Sequence, residues 1–311
     1  MATTHTWTGA VNNDAANPGN WTGGAPQPGD ILTDTISGST IDITDDALAG
    51  NQLRIVRPPS PDGLGTTRNV TLDLSDNAQA NLSLDSALKI VANLSGNDTL
   101  EASLSGFGVL VAPSDLTVNL AEHTNLHGSF QVDGPGARLT ISGGEDTRYV
   151  HNATDRIGGT GVIDTKVVGS GAFILTPAYV HMAGPAPSHL EFGGFVAAEQ
   201  TVDITGPPAF MVGSFSTLQV DDPRQFHAMV DLHDSSLTDL VGLAQADSWS
   251  YANDLLSIKA ASGMVLDTLH IVSDASSTGS VHGLSVSKTA AGDVLVSPGT
   301  DFHGLLALPT S

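Results

Sequence analysis

Short runs in which apolar and polar residues alternate, each ended by a turn-forming residue, are the feature that most constrains this chain. They are densest between Asn69 and Gly143. Alternation with a period of two places Leu72 and Leu74 on one face of an extended strand, and Thr71 and Asp73 on the other. Many such short strands, separated by Gly, Asn, Asp or Ser and almost free of helical periodicity, are typical of an all-β protein.

The composition favours a stacked interior over a large aromatic cavity. The chain has 34 Gly, 16 Pro and 40% hydrophobic residues, but only 5% aromatic residues. Strands that stack as repeats can fill their interior with Leu, Val, Ile and Ala, whereas ligand pockets of enzymes are commonly lined by aromatic side chains. We therefore expect an all-β β-solenoid, that is, a parallel β-helix.

The charge excludes two classes of partner. The chain carries 33 Asp and Glu against 11 Lys and Arg, for a net charge of -22. A field of this sign repels nucleic acid and anionic membrane surfaces, and no apolar run is long enough for a membrane span. There is no cysteine, so disulfides and cysteine-ligated metals are excluded. We expect no nucleic-acid partner and no membrane span.

Changes in composition along the chain predict four regions. Residues 1–30, rich in Trp, Gly and Pro, form an N-terminal cap, and residues 31–176 form the β-helix ladder. Residues 177–200 are a Pro/Gly-rich junction, and residues 201–311 form a C-terminal β-module. Within the ladder, the prolines of Arg57–Gly63 cannot continue a strand pairing, so this segment is expected to be a loop that leaves the stack.

Aromatic residues near the two ends are candidates for caps or assembly contacts. Trp7 and Trp21 are open to two interpretations: a platform on which a sugar stacks, or a plug over the first repeat. The plug is favoured because terminal repeats of solenoids must differ from the internal ones. Trp249 and Tyr251, if they point outward beside carboxylates, would indicate glycan binding. Phe302 begins an apolar tail that is either an export signal or a strand that seals the last repeat.

Three stretches resemble known families. The Trp-Thr-Gly at Trp7, the Asn-Pro-x-Asn-Trp that ends at Trp21 and the Pro-x-x-Gly-Asp that ends at Asp30 resemble the start of bacterial autotransporter-like passenger domains. Residues Asn125–Gly143 are similar to a passenger repeat. The Asp-Leu-x-Gly-Leu and Ser-Tyr-x-Asn steps within 239–253 resemble a C-terminal β-module common in large exported bacterial proteins. The resemblance implies export and β-architecture, and a secreted or cell-surface location, but no chemistry.

No motif predicts a catalytic or metal site. His123 and His127 are four residues apart, but Gly128 indicates a turn and no Glu lies between them, as a zinc-protease motif requires. His227 and His233 are separated by a predicted strand and turn. Of the carboxylates, Asp45 with Asp46 and Asp221 with Asp222 are neighbours that a strand would point to opposite faces. The pair nearest to a glycosidase arrangement is Asp73 with Asp85, on predicted adjacent rungs.

Calcium binding is predicted only in a weak form. Residues Ser95–Glu101 and Gly143–Asp146 are similar to calcium-binding turns, but the Gly-Gly-x-Gly-x-Asp repeat does not occur in tandem. A weak, adventitious Ca²⁺ site is therefore the most that these turns predict. No cofactor is expected.

The sequence favours a structural role over an enzymatic one. The leading hypothesis is an exported surface or extracellular-matrix protein that acts in adhesion, biofilm or fibre formation, and that self-associates when unpaired end strands of the solenoid stack end to end. The alternative is a β-helix that binds or cleaves glycans, as a polysaccharide lyase, a hydrolase or a phage-type spike does. A third hypothesis is a passenger fragment of a larger autotransporter or adhesin.

Overall fold

The fold is all-β, as the alternating runs predicted. In the computed structural model, 63% of the protein is strand and 3% is helical, and most strands are parallel members of one large sheet. This arrangement is compatible with a β-helix. The structure describes residues 3–34, 39–44, 47–48, 52–55, 68–75, 78–84, 88–95, 97–105, 115–180, 184–205, 215–233, 236–273, 283–299, 301 and 303–306.

The described elements are 27 strands and two short 3-10 turns. The turns are Pro18–Asn20 and Pro223–Gln225. The strands are β1 (Thr4–Thr6), β2 (Ile31–Asp34), β3 (Ser39–Thr44), β4 (Gln52–Ile55), β5 (Arg68–Ser75), β6 (Gln79–Leu84), β7 (Leu88–Ser95), β8 (Asn97–Ser105), β9 (Asp115–Leu120), β10 (Asn125–Ser142), β11 (Arg148–Val150), β12 (Thr154–Asp164), β13 (Lys166–Val168), β14 (Ala172–Leu175), β15 (Ala178–Val180), β16 (Gly184–Ala186), β17 (His189–Phe192), β18 (Thr201–Ile204), β19 (Ser216–Val220), β20 (Met229–Leu232), β21 (Ser236–Leu240), β22 (Ala246–Ala252), β23 (Leu255–Ala260), β24 (Val265–Ser273), β25 (Gly283–Lys288), β26 (Val294–Gly299) and β27 (His303–Leu305).

The parallel strands form two long ladders and one short one. The first ladder runs through β3, β5, β7, β9, the second half of β10, the second half of β12, β17, β19 and β21. The second ladder runs through β1, β2, β4, β6, β8, the first halves of β10 and β12, β14, β18, β20 and the end of β24. The third, short ladder joins the start of β10 to β11 and β13.

The register of the first ladder stacks apolar side chains directly over one another. Leu72 and Leu74 are buried, while Thr71 and Asp73 are only partly so, as the period of two predicted. Each inward residue meets an inward residue of the next strand, so the core is one continuous column of apolar contacts. One such column consists of Ile41, Leu72, Ala92, Val118, Ile141, Ile163, Phe192, Val220 and Leu240.

Both ends of the two long ladders are covered by other parts of the chain. At the amino-terminal end, Thr22 N donates to Thr6 O of β1 and Thr8 N, just beyond β1, donates to Asn20 O, while Asn13 and Ala15 exchange backbone hydrogen bonds with Asp42 of β3. At the other end, β24 pairs with the outer edge of β20 and β26 pairs antiparallel with β21. The strands β22, β23 and β24 continue as an antiparallel sheet. At these positions the backbone groups of the described ladder ends are already paired within the chain.

The ladders pass through the predicted junction without a break. Strand β17, which lies within residues 177–200, pairs with β12 on one side and β19 on the other, while β15 and β16 form a separate hairpin. Parallel pairing continues beyond residue 201 into β21. The four-region division stays a prediction, and the loop predicted at 57–63 lies outside the described residues.

Candidate functional site: a polar cleft at stacked turns

The two amino-terminal tryptophans lie inside the protein. The exposed fraction is 2% for Trp7 and 4% for Trp21, and their rings meet edge to face with centroids 5.0 Å apart. The Trp21 indole Nε1 donates a hydrogen bond of 2.8 Å to the carbonyl oxygen of Ala15. Since neither ring presents a face to solvent, the interpretation of this pair as a sugar platform is wrong.

The aromatic candidates of the carboxy-terminal part are also buried. Trp249 is 4% exposed and Tyr251 is 6% exposed, both on β22. The Tyr251 hydroxyl donates to the carbonyl oxygen of Ile271 at 2.8 Å, which ties β22 to β24. The condition under which these two residues would indicate glycan binding, that they point outward beside carboxylates, is not met, because alternation along β22 turns both toward the core. Phe302 lies outside the described residues.

The histidine and carboxylate pairs noted in the sequence are not brought together as metal sites. His123 has φ of 63° in an exposed turn, and its Nδ1 is 4.0 Å from a carboxylate oxygen of Asp146. The His233 Nε2 lies 3.2 Å from Asp203 and 3.7 Å from Asp231. Within the described ranges, no group of three or more His, Asp or Glu residues is placed to hold a metal ion. Asp45, Asp46 and Asp85 lie outside those ranges.

An outward row of polar side chains runs across the first ladder. Asn93 donates from Nδ2 to Asp73 at 2.6 Å, and Asn119 donates from Nδ2 to Asn93 at 3.0 Å. These side chains stand at the same register on successive strands, together with Asp42, Ser142 and Asp164. At about 4.8 Å per strand, the row is about 24 Å long.

The first residue of the row is electrostatically crowded. Burial raises the pKa of the Asp42 carboxyl, and the nearby carboxylates of Asp73 and Asp14 raise the pKa further. Like charges close together disfavour the ionised form. The amino-terminal end of the row is therefore a poor place for an anion.

The last residue of the row, Asp164, lies in a cleft of about 290 Å³ at the turns that follow the first ladder. Backbone hydrogen bonds stack these turns: Gly143 N donates to Asp164 O at 3.0 Å, and Val196 N donates to Gln225 O at 3.0 Å. The cleft is lined by Gly143, Gly144, Glu145, Asp164, Thr165, Lys166, Gly193, Gly194, Phe195 and Gln225.

Two glycines of the cleft, Gly193 and Gly194, lie too close to neighbouring groups to carry a side chain without a shift. A Cβ added at Gly194 would lie 2.6 Å from the carbonyl oxygen of Thr165, and one at Gly193 would lie 2.8 Å from a carboxylate oxygen of Asp164. At Gly194 the contact is with backbone, so a larger residue would push the adjacent turns apart, whereas at Gly193 the end of the Asp164 side chain would have to move. Gly194 therefore lets the two turns approach closely.

The walls of the cleft combine a ring, an amide and charges of both signs. Phe195 is half-buried, and its ring centroid is 5.5 Å from that of His227 in an edge-to-face contact. The amide of Gln225 donates to Asp222 at 2.8 Å. Glu145 and Lys166 are exposed at the rim. An apolar ring with a few convergent polar groups is the usual composition of a site for a polar organic ligand.

A buried carboxyl, Asp267, lies near the turn that carries Gln225. Asp267 is 9% exposed, and its Oδ2 atom has no hydrogen-bond partner. Burial raises the pKa of Asp267, although the charges of Arg224 and His227 oppose the rise. Because this oxygen is closed off from solvent, we assign Asp267 no direct contact with a ligand in the cleft.

Comparison with known proteins finds no matching family model, no matching curated protein and no matching solved structure. The resemblance to exported bacterial proteins therefore stays a prediction. Among the described residues, no helix is long and apolar enough to cross a membrane.

Sequence reasoning did not find the cleft. Its residues come from four turns that are far apart in the chain, and only the strand register brings them together. The one available signal was the Gly-Gly pair at Gly143–Gly144 and Gly193–Gly194, although the same pair also occurs outside the cleft, at Gly23–Gly24 and Gly158–Gly159. The first pair was instead interpreted as part of a weak calcium turn.

Proposed function

We propose that the protein is an extracellular β-solenoid that binds a polysaccharide along the outward row of the first ladder and in the cleft where this row ends. The observation that carries the proposal is the position of Asp164, which is the last member of the row and also lines the cleft beside Phe195. A track about 24 Å long with a ring at one end suits a long polymer better than a small molecule.

The chemistry of the row favours a neutral polysaccharide. Asparagine and serine side chains both donate and accept hydrogen bonds, as sugar hydroxyls do. The carboxylates of Asp42, Asp73 and Asp164, within a chain of net charge -22, would repel an acidic polymer. The Phe195 ring supplies the apolar face on which a sugar ring can pack.

We propose binding rather than cleavage. Glycosidic hydrolysis requires one carboxyl that stays protonated and one that is ionised, on either side of the scissile bond. The carboxyls that line the cleft, Glu145 and Asp164, are both exposed, whereas the general acid of a glycosidase is commonly a carboxyl in an apolar, buried setting. The buried acid nearby, Asp267, has its unpartnered oxygen closed off from solvent.

Adhesion through a surface glycan would fit the extracellular location that the sequence resemblance implies. Fibre formation by end-to-end stacking is the weaker proposal, because the described ends of both long ladders are already paired within the chain. Strand edges covered in this way do not template another copy. Self-association would then have to use a different surface.

The test is binding of the purified chain to a panel of neutral and acidic polysaccharides, measured by affinity electrophoresis and then by calorimetry. We expect binding to a neutral polymer, with affinity that increases with oligosaccharide length up to the length of the row. Phe195→Ala should weaken binding at least about tenfold, which corresponds to about 1.4 kcal/mol.

Phe215→Ala is the matched control. Phe215 is an exposed phenylalanine just before β19, at the opposite end of the ladder strands from the cleft, so this variant should bind as the parent chain does. The proposal is contradicted if no neutral polysaccharide binds, or if the two variants lose affinity equally.

A further inference from the structure

A cluster of four polar side chains is sealed inside the protein between β11, β12 and the turn before β18. His151, Asp155 and Gln200 have no exposed surface, and the ring of Tyr149 is equally buried. The His151 ring lies against Phe173, with centroids 4.1 Å apart. The cluster is thus cut off from water, and its hydrogen bonds must be satisfied internally.

The orientation of the Gln200 amide is determined by its neighbours. Its Nε2 donates to the carbonyl oxygens of His151 and Val168, at 3.0 and 3.2 Å. The opposite orientation would place the amide oxygen against two carbonyl oxygens. The amide oxygen Oε1 therefore faces the His151 Nδ1, at 2.8 Å.

This orientation fixes a proton on one ring nitrogen of His151. Because Oε1 of Gln200 can only accept, the His151 Nδ1 must carry the hydrogen. In a neutral imidazole, Nε2 would then be a bare acceptor. That atom lies 3.4 Å from the Oδ1 of Asp155, and two acceptors that face each other in a buried site repel unless a proton lies between them.

We infer that the His151–Asp155 pair binds one proton that the folded protein retains above neutral pH. Nε2 makes no hydrogen bond, so the proton would turn its 3.4 Å approach to Oδ1 into an ion pair. The pair is then neutral overall, which a dry interior tolerates better than a lone charge. Asp155 already accepts hydrogen bonds from the Phe130 amide and the Tyr149 hydroxyl, each at 2.8 Å. Hydrogen bonds of this kind stabilise a carboxylate, so the proton belongs on the imidazole.

Among the described contacts, Asp155 and Tyr149 are the ionisable groups that face His151. Burial raises the pKa of the Tyr149 phenol well above its ordinary value, and the Asp155 carboxylate raises it further. Tyr149 therefore stays a neutral donor throughout the range in which the His151–Asp155 pair is tested. The remaining neighbours, Gln200 and Phe173, do not titrate.

The retained proton makes the fold sensitive to alkaline pH. An unfolded histidine loses its proton near pH ~6.5, so above this value unfolding releases the proton of the pair. Because the folded state then binds one proton more than the unfolded state, the free energy of unfolding falls as pH rises. For one proton, the unfolding constant grows about tenfold for each pH unit.

The experiment measures urea unfolding of the full chain between pH 7 and 9, for the parent and for Asp155→Asn. The amide of the variant has no negative charge to hold a buried imidazolium. The unfolding constant of the variant should therefore rise with pH less steeply than that of the parent, by about tenfold per unit. Tyr149→Phe is the matched control, since it removes one hydrogen bond of the same carboxylate but keeps the pair. Its slope should equal that of the parent.

A second measurement does not depend on the variants folding. Nitrogen and carbon NMR of the parent chain at pH 8 reports the hydrogens on both ring nitrogens of His151 and the ionisation of Asp155. A proton on either group of the pair supports the inference. A bare Nε2 together with an ionised Asp155, or equal slopes for the parent and Asp155→Asn, would overturn it.

Discussion

Replacing Gly128 by alanine adds a single methyl group but should strongly destabilise the folded protein. Gly128 lies in β10 opposite Leu100 of β8, with φ of 131°. A Cβ at this position would lie 1.9 Å from the carbonyl oxygen of Leu100 and 2.6 Å from its carbonyl carbon. Both atoms belong to backbone, so no side-chain rotation can relieve the contact.

The cost can be worked from two contributions. A φ in the left-handed region costs an L-residue about 1–2 kcal/mol, and forced displacement in a packed interior costs about 1–3 kcal/mol. Since β8 and β10 must separate locally, hydrogen bonds of the second ladder also weaken. We expect Gly128→Ala to lower the free energy of unfolding by about 2–5 kcal/mol.

The assay is guanidinium unfolding followed by circular dichroism, with Gly144→Ala as the matched control. Gly144 is a turn glycine with open space where the alanine Cβ would lie, so its variant should stay within about 0.5 kcal/mol of the parent. If Gly128→Ala also stayed within that margin, the close approach of β10 to β8 would be refuted, and with it the register of the second ladder at this point.

Three further outcomes are expected. Asp267→Asn should stabilise the protein at pH 7, because the raised pKa of Asp267 means that ionisation of this buried carboxyl destabilises the folded state. The gain should vanish below pH ~4, where the carboxyl is protonated in both states, and a gain that grows toward acid would contradict the sign. Trp21→Phe removes the hydrogen bond to the Ala15 carbonyl and should cost about 1–3 kcal/mol in urea unfolding, because a buried acceptor loses its partner; an unchanged midpoint would contradict this. Negative-stain microscopy of the purified chain at neutral pH, with calcium and then with a chelator, should show isolated particles, whereas long regular fibres would show that the covered ladder ends do not prevent stacking.

The part of the fold that local pattern determines could be predicted from the sequence. The runs around Leu72 and Leu74 became strands with the expected inward residues, because a period of two is a direct consequence of backbone geometry. Parallel pairing was expected from composition and from the repetition of short strands. The antiparallel sheet of β22, β23 and β24 was not predicted, because an alternating sequence pattern does not show whether neighbouring strands pair in parallel or antiparallel.

Aromatic residues were harder to place than aliphatic ones. Trp249 and Tyr251 are two residues apart and share a face of β22, but the pattern does not say whether that face is inner or outer. The structure turns it toward the core, where the Tyr251 hydroxyl still finds a carbonyl acceptor. A polar tip on an apolar ring is compatible with either side, so only the tertiary arrangement decides.

The cleft could not be predicted, because it is a property of register. Asp164 and Phe195 belong to no motif in the sequence, and they come together because successive turns stack by backbone hydrogen bonds. The surroundings of the buried His151 are likewise set by tertiary contacts and not by a sequence motif. Nothing near His151 in the sequence indicates Gln200, which lies 49 residues away and fixes its hydrogen.

Strands that are neighbours in the stack are separated by unequal numbers of residues along the sequence, and this has a consequence for how such a chain can evolve. Asp73 and Asn93 stand side by side although 20 residues separate them, and Asn93 and Asn119 do so across 26. The register of the first ladder is kept although the number of residues between its strands differs. One residue gained inside a strand would instead reverse every later side chain of that strand, inward to outward. Length variation among descendants of this chain is therefore expected to collect in the turns, which also form the cleft at the end of the proposed binding row, so that specificity can change there while the stacked strands are inherited intact.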